Sequence, residues 1–266
     1  MRCTGLMYSP LSNYVPKFAL NSRPVPSCFL CLVILLWMTL WESLAFADED
    51  LPITEFEATY KANVKLVNGT VKISFRQQAK GNYRFVYHVQ LGWFWESLIR
   101  GKLTETTTVE FDQGRPVPLE YRLTNTIGSN PRNGRYRFDW PEGRLVGTYK
   151  DKDIDLPIQP GVVDRSLLML QLMWDLKNDN LRSEYLVFDR DEIEAVSVEK
   201  IGEEFVTLES KFKYDTVVIT HTSADESDVT FLWLVPEFGF VPVKVEQYAD
   251  GDEVFHAELS RYAIWP

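Results

Sequence analysis

The sequence predicts a mainly β protein: a long antiparallel meander forming a curved sheet or open barrel, with one buried helix, about residues 163–177, packed on it. Three observations carry this. From Thr54 to Leu66, Phe56, Ala58, Tyr60, Ala62, Val64 and Leu66 alternate with polar residues, the period of a strand with one dry and one wet face. The alternation recurs nearly to the last residue, parted by short turn-forming clusters. It breaks once, between Val163 and Lys177, where Leu167, Leu168, Leu170, Leu172, Met173, Trp174 and Leu176 leave almost no polar face.

Taken in order, the first strand runs into Asn68-Gly69, the pair best suited to a tight type I′ hairpin, and resumes as Val71, Ile73 and Phe75. After Lys80-Gly81-Asn82, Tyr83, Phe85, Tyr87, Val89 and Leu91 form the next ribbon. Trp93, Phe94 and Trp95 follow in succession. Consecutive strand residues face opposite sides, so at least one of these rings meets the wetter face unless a loop or helix covers it. They are the candidate ligand-binding residues. Leu103 to Phe111, Leu119 to Ile127, Arg135 to Trp140 and Leu145 to Tyr149 continue the pattern, with a loop at 128–134. Turns this short require sequential strands to pair antiparallel.

The helix is announced by Pro160-Gly161 as a break and Asp164 as N-cap. Its near-complete apolarity predicts burial on several sides, as a rod plugging the sheet. Strands return at Tyr185 to Phe188, Ile193 to Lys200, Phe205 to Glu209, Phe212 to Thr220, Val229 to Val235, Val241 to Ala249 and Glu253 to Ile264. No repeat or linker divides residues 48–266, which read as a single β-rich domain.

The chain has 266 residues, 45% hydrophobic and 25% charged, ample for a core. Residues 1–47 differ from the rest. Basic Arg2, Lys17 and Arg23 precede an uncharged apolar run from Cys28 to Trp41, shorter than the roughly 20 residues of a membrane span. Ala45-Phe46-Ala47 supplies small residues where a signal peptidase reads. The expectation is a signal peptide cleaved after Ala47, with an uncleaved anchor as the alternative. Cys3, Cys28 and Cys31 all lie in this segment, so the mature chain would have no disulfide and no thiolate site. Losing the three basic residues and Glu42 takes the formal charge from -10 to -12. Nucleic acid and anionic headgroups repel such a chain, and no integral span remains.

Few residues suggest chemistry. His88, His221 and His256 lie in separate predicted strands without metal-ligand spacing, and no metal or cofactor is expected. Phosphate loops and nucleophile elbows are missing. Ser197-Val198-Glu199-Lys200 and Ser210-Lys211-Phe212-Lys213 fit a Ser-x-x-Lys pattern that works only on a helix, and both lie in strand-like sequence. Asp151, Asp153 and Asp155, and Asp189, Asp191 and Glu192, lack the glycine punctuation of a calcium loop and are expected in solvated turns.

Several stretches together resemble a known family. These are Phe56-x-Ala58-x-Tyr60, Phe138-Asp139-Trp140-x-x-Gly143-x-x-x-Gly147, Leu156-Pro157-x-Gln159-Pro160-Gly161-x-x-Asp164 and Leu232-Trp233-x-x-Pro236. They are similar to a family of exported Gram-negative bacterial proteins classed as a domain of unknown function. The resemblance implies a periplasmic location and carries no catalytic residues. It singles out Asp164 and Arg165 beside the helix, expected to act structurally: Asp164 as cap, Arg165 paired with a strand carboxylate.

The functional expectation is a non-catalytic periplasmic protein that binds a lipid-like amphiphile or an envelope protein, with a role in envelope biogenesis. Two alternatives belong to other classes. One is an envelope glycan hydrolase using paired carboxylates; the other is a scaffold that lends a strand edge to a partner.

Overall fold

The structure, a computed structural model, describes residues 53–65, 67–78, 81–92, 95, 101–128, 130–223 and 227–265. They fall in one compact unit, Leu51–Pro266. The expected signal peptide, residues 1–47, lies outside the described residues.

The strands are β1 (Phe56–Val64), β2 (Val67–Gln77), β3 (Tyr83–Leu91), β4 (Lys102–Asp112), β5 (Arg115–Asn125), β6 (Arg132–Asp139), β7 (Arg144–Tyr149), β8 (Lys152–Pro157) and β9 (Val163–Asp164). The helix α1 (Leu167–Lys177) follows. Then come β10 (Glu184–Asp189), β11 (Glu192–Thr207), β12 (Lys213–Thr222), β13 (Asp228–Val235), β14 (Val241–Ala249) and β15 (Asp252–Ile264). Among the described residues they make one 15-stranded sheet in the order β8-β7-β6-β5-β4-β3-β2-β1-β15-β14-β13-β12-β11-β10-β9.

This order explains the barrel-like closure. The first and last strands are neighbours, β1 pairing antiparallel with β15. The two free edges, β8 and β9, are consecutive in the chain, so residues 158–162 bring them together. Side chains fill the seam: Tyr136 of β6 packs edge-on against Phe188 of β10 at 4.7 Å and stacks on Tyr121 of β5 at 5.6 Å. The Tyr136 hydroxyl also donates to the Arg190 carbonyl at 2.7 Å. The curled sheet thus has a closed wall without a continuous hydrogen-bond ladder.

The helix is the expected buried rod, with Leu167, Leu168, Leu170, Gln171, Leu172, Met173, Asp175 and Leu176 all buried. It starts later than the sequence predicts. Val163 and Asp164 are held as β9 by pairing with Val187 and Phe188, and this pair is parallel where the meander predicts antiparallel pairing. The physical reason is the helix itself, which carries the chain back through the barrel so that β10 runs the same way as β9.

Two further boundaries differ. Asn68-Gly69 is not the first turn. Val64 pairs with Val67 around Lys65 (φ 52°), and Asn68 and Gly69 lie within β2 opposite Asn63 and Ala62. What Gly69 supplies is a close approach to β3, since a Cβ there would stand 2.7 Å from the Gln90 carbonyl oxygen. In the second half, the run Ile193 to Lys200 and the first three residues of the run Phe205 to Glu209 belong to a single strand, β11, which ends at Thr207 and is bent by a register shift between Lys200 and Gly202.

Candidate functional site

The inward faces of the strands do not meet everywhere. A cavity of about 340 Å³ lies beside the first half of α1, touching Leu168, Met169 and Leu172. Its described walls come from β1 to β4 and β10 to β15. Most are apolar: Val71, Ile73, Phe85, Leu232, Val245 and Phe255 among them. The second half of the helix, Met173 to Lys177, does not line it. The rod and the packed core fill most of the interior and leave this space beside the first half of the helix.

A polar cluster stands where the helix begins. Asp164 is fully buried, and its Oδ1 accepts the backbone N–H of Ser166 at 3.1 Å and of Leu167 at 3.0 Å. These are first-turn donors that would otherwise have no partner. The hydroxyls of Ser166 and Thr107 also donate to it, at 2.7 and 2.9 Å. Burial pushes its pKa up to about 6, and the hydrogen bonds from Ser166, Leu167 and Thr107 hold it back from going further.

Arg165, the next residue, faces the cavity. Its Nε lies 3.6 Å from Glu105 of β4 and its guanidinium donates to Asp189 of β10 at 3.5 Å. Glu105 is only 2% exposed and also accepts the Tyr121 hydroxyl at 2.9 Å. Burial raises the Glu105 pKa, with Arg165 and Tyr121 pulling it down. Burial likewise takes Tyr87, on the same wall, up to about 12. His221 lines the cavity too, and burial with the nearby Arg165 lowers its pKa to about 4, so its ring is neutral at pH 7.

The residues singled out from sequence are distributed as follows. Asp164 and Arg165 stand together at the mouth of the helix, in contact with the hydrogen bonds and carboxylates just described. Trp93 and Phe94 lie outside the described residues, and Trp95 is half-buried. Asp151, Asp153 and Asp155 are exposed on the β7–β8 turn and on β8. Of the second acidic group, Asp191 and Glu192 are exposed and Asp189 reaches the cavity. His88 bonds Thr104 at 2.8 Å, and His256 stands near Glu246 and Glu258.

Sequence reasoning missed Glu105 and Thr107, and weighed His221 only as a metal ligand. The signal was present: Glu105 and Thr107 share the phase of Leu103, Val109 and Phe111, and His221 that of Val217 and Ile219. A polar residue in an apolar phase must either find a partner or line a polar space. Sequence spacing also did not bring together Glu246, Glu253 and His256, whose ligand-type atoms lie within 4.8 Å of one another on β14 and β15. Lys244 already approaches Glu246 at 2.6 Å and supplies a cation there.

Among the described residues no helix is long and apolar enough to cross a membrane. Comparison with known proteins places this architecture. The family model described as "Protein of unknown function (DUF3108)" matches residues 55–258. The crystal structure of a β-barrel-like protein of the domain of unknown function DUF1849, from Brucella abortus, is similar with a TM-score of 0.52. At 16% identity, the alignment covers 80% of this chain and 98% of that one, a likeness of fold. No curated protein matches the chain.

Proposed function

Since the chain belongs to the DUF3108 family, whose function is unknown, we propose that it is a non-catalytic protein of the Gram-negative periplasm that holds the apolar part of an amphiphile inside its barrel. The observation that carries this reading is the cavity of about 340 Å³, walled by aliphatic and aromatic side chains between sheet and helix. Ligand sites are typically concave and mostly apolar with a few placed polar groups, and Glu105, Arg165 and Asp189 are such groups. Emptying so large an apolar volume without a compensating ligand forfeits packing contacts that a filled core would make.

In this reading residues 1–47 direct export, the mature chain begins at Asp48, and Trp93, Phe94 and Trp95, which follow the cavity strand β3 in the chain, add aromatic contacts to the ligand. The protein thereby serves envelope biogenesis as a carrier or receptor of a lipid-like molecule.

Native mass spectrometry of protein taken from the periplasm tests the proposal. The expected spectrum contains a mature chain starting at Asp48 and a second species heavier by one lipid-sized ligand. Repeated preparations without bound mass, together with no uptake of the neutral apolar dye N-phenylnaphthylamine, would overturn it.

A further inference from the structure

The charge of the cavity is lopsided. Among the described lining residues four carry carboxylates, Glu105, Asp189, Glu194 and Asp228, and Arg165 is the one lysine or arginine. Arg165 is already faced by two of the four, Glu105 and Asp189. His221 adds no positive charge at pH 7, being neutral. At the β10–β11 turn Arg190 adds a second cation, 3.4 Å from Asp189, but Glu192 there hydrogen-bonds Glu194 and adds a further carboxylate, so Glu194 and Asp228, at the start of β13, stand in excess at the turn end of the cavity.

We infer that the ligand of this cavity is a lipophilic cation, an apolar chain or ring system ending in an ammonium-type group, and not a fatty-acid-like anion. This rests on the proposed binding function and names its substrate class. A cleft lined by one sign of charge with apolar walls focuses its field and enriches ions of the opposite sign. An anionic head would have to take Arg165 from both of its carboxylate neighbours while approaching Glu194 and Asp228. A cationic head meets those two carboxylates without displacing Arg165. Two aromatic lining residues, Tyr87, paired with Glu105, and Phe255, paired with Gln247, suit it as well, because aromatic rings attract a cation once it is desolvated.

The test compares three probes of equal chain length, dodecyltrimethylammonium, dodecanoate and dodecanol, as competitors of N-phenylnaphthylamine on the purified protein. Dodecyltrimethylammonium is expected to bind at least tenfold more tightly than dodecanoate. In the Glu194→Gln, Asp228→Asn double variant that ratio is expected to fall below threefold, with dodecanol binding reporting that the cavity is still formed. A matched pair of changes on the edge strand, Asp153→Asn with Asp155→Asn, removes the same two negative charges and is expected to leave the ratio intact. Dodecanol binding with dodecanoate equal to or tighter than the cation overturns the inference and leaves the cavity reading standing. An equal loss of preference in the edge-strand variant also overturns it, since the preference then belongs to the whole molecule. If none of the three binds, the amphiphile reading fails and takes this inference with it.

Discussion

Tyr121 donates a 2.9 Å hydrogen bond to Oε2 of Glu105, and Oε1 of the same carboxylate lies 3.6 Å from Nε of Arg165. One buried acid is thus held from both sides, by a hydroxyl in the wall and a guanidinium in the cavity. Removing either support leaves a charge in a place where water does not solvate it.

The Arg165→Met substitution tests that balance. It keeps the apolar stem and removes the charge, leaving Glu105 at 2% exposure with Tyr121 alone. Loss of one member of a buried pair is strongly destabilising, and the half-open position of Arg165 reduces this to about 2 kcal/mol at pH 8. The Glu105 pKa is already raised by burial and rises further without Arg165, so the carboxyl takes up a proton as pH falls. Urea denaturation is expected to show a smaller cost at pH 5 than at pH 8. An equal cost at both pH values would mean that the pair contributes packing and not charge compensation.

Asp164 imposes a second pH dependence, again from burial. Its folded pKa, about 6, exceeds the ordinary value of 3.8. Between these two values the native state binds more protons than the unfolded chain, so stability falls as pH rises through that window. Above it the ionised group costs the fold roughly 3 kcal/mol relative to a carboxyl with no shift. Asp164→Asn keeps an oxygen to accept the N–H groups of Ser166 and Leu167 and abolishes the titration. The variant is expected to gain on the parent between pH 4 and 7, by up to roughly 3 kcal/mol. A stability difference that stays constant over this range would refute the assignment.

Much of the fold was legible because a strand with one dry face writes its register into every second residue. Phe56, Ala58, Tyr60 and Ala62 face the interior as the alternation requires, and the leucine-rich helix is buried as its apolarity requires. The hollow was not legible. Val71, Ile73 and Leu232 line the cavity and Phe56 and Phe75 are buried in the packed core, yet both groups satisfy the same alternation. Period reports which side a residue faces and nothing about whether an opposite wall reaches it. The first turn failed for a different reason. Asn68-Gly69 has turn chemistry, but the glycine is required by the neighbouring strand and not by a reversal of the chain.

That reassignment makes Gly69 a test of the hairpin register. Within β2, a Cβ at this position meets the Gln90 carbonyl oxygen at 2.7 Å, and backbone is slow to yield. Gly69→Ala is expected to destabilise by about 1–3 kcal/mol, the usual range for overpacking. Gly202, at the β11 register shift, is the contrast. No atom stands within 4 Å of a Cβ there and its φ is not in the left-handed region, so Gly202→Ala is expected to stabilise by about 0.4–1 kcal/mol through the unfolded state. Chemical denaturation of both variants decides the matter; a neutral Gly69→Ala would return the turn to Asn68-Gly69.

Filling the hollow should separate binding from folding. Ala257 of β15 lies on the cavity wall between its register partners Ala62 and Val245, and it is buried. A phenyl ring at this position has empty space to enter, unlike a ring forced into a close-packed core, where the backbone would have to move. Ala257→Phe is therefore expected to hold or raise the melting temperature while weakening N-phenylnaphthylamine binding at least tenfold. The two readouts pull apart only if the space is a site. Loss of both together would mean that the wall at Ala257 is rigidly packed, and retention of dye affinity would mean that the dye binds elsewhere on the protein.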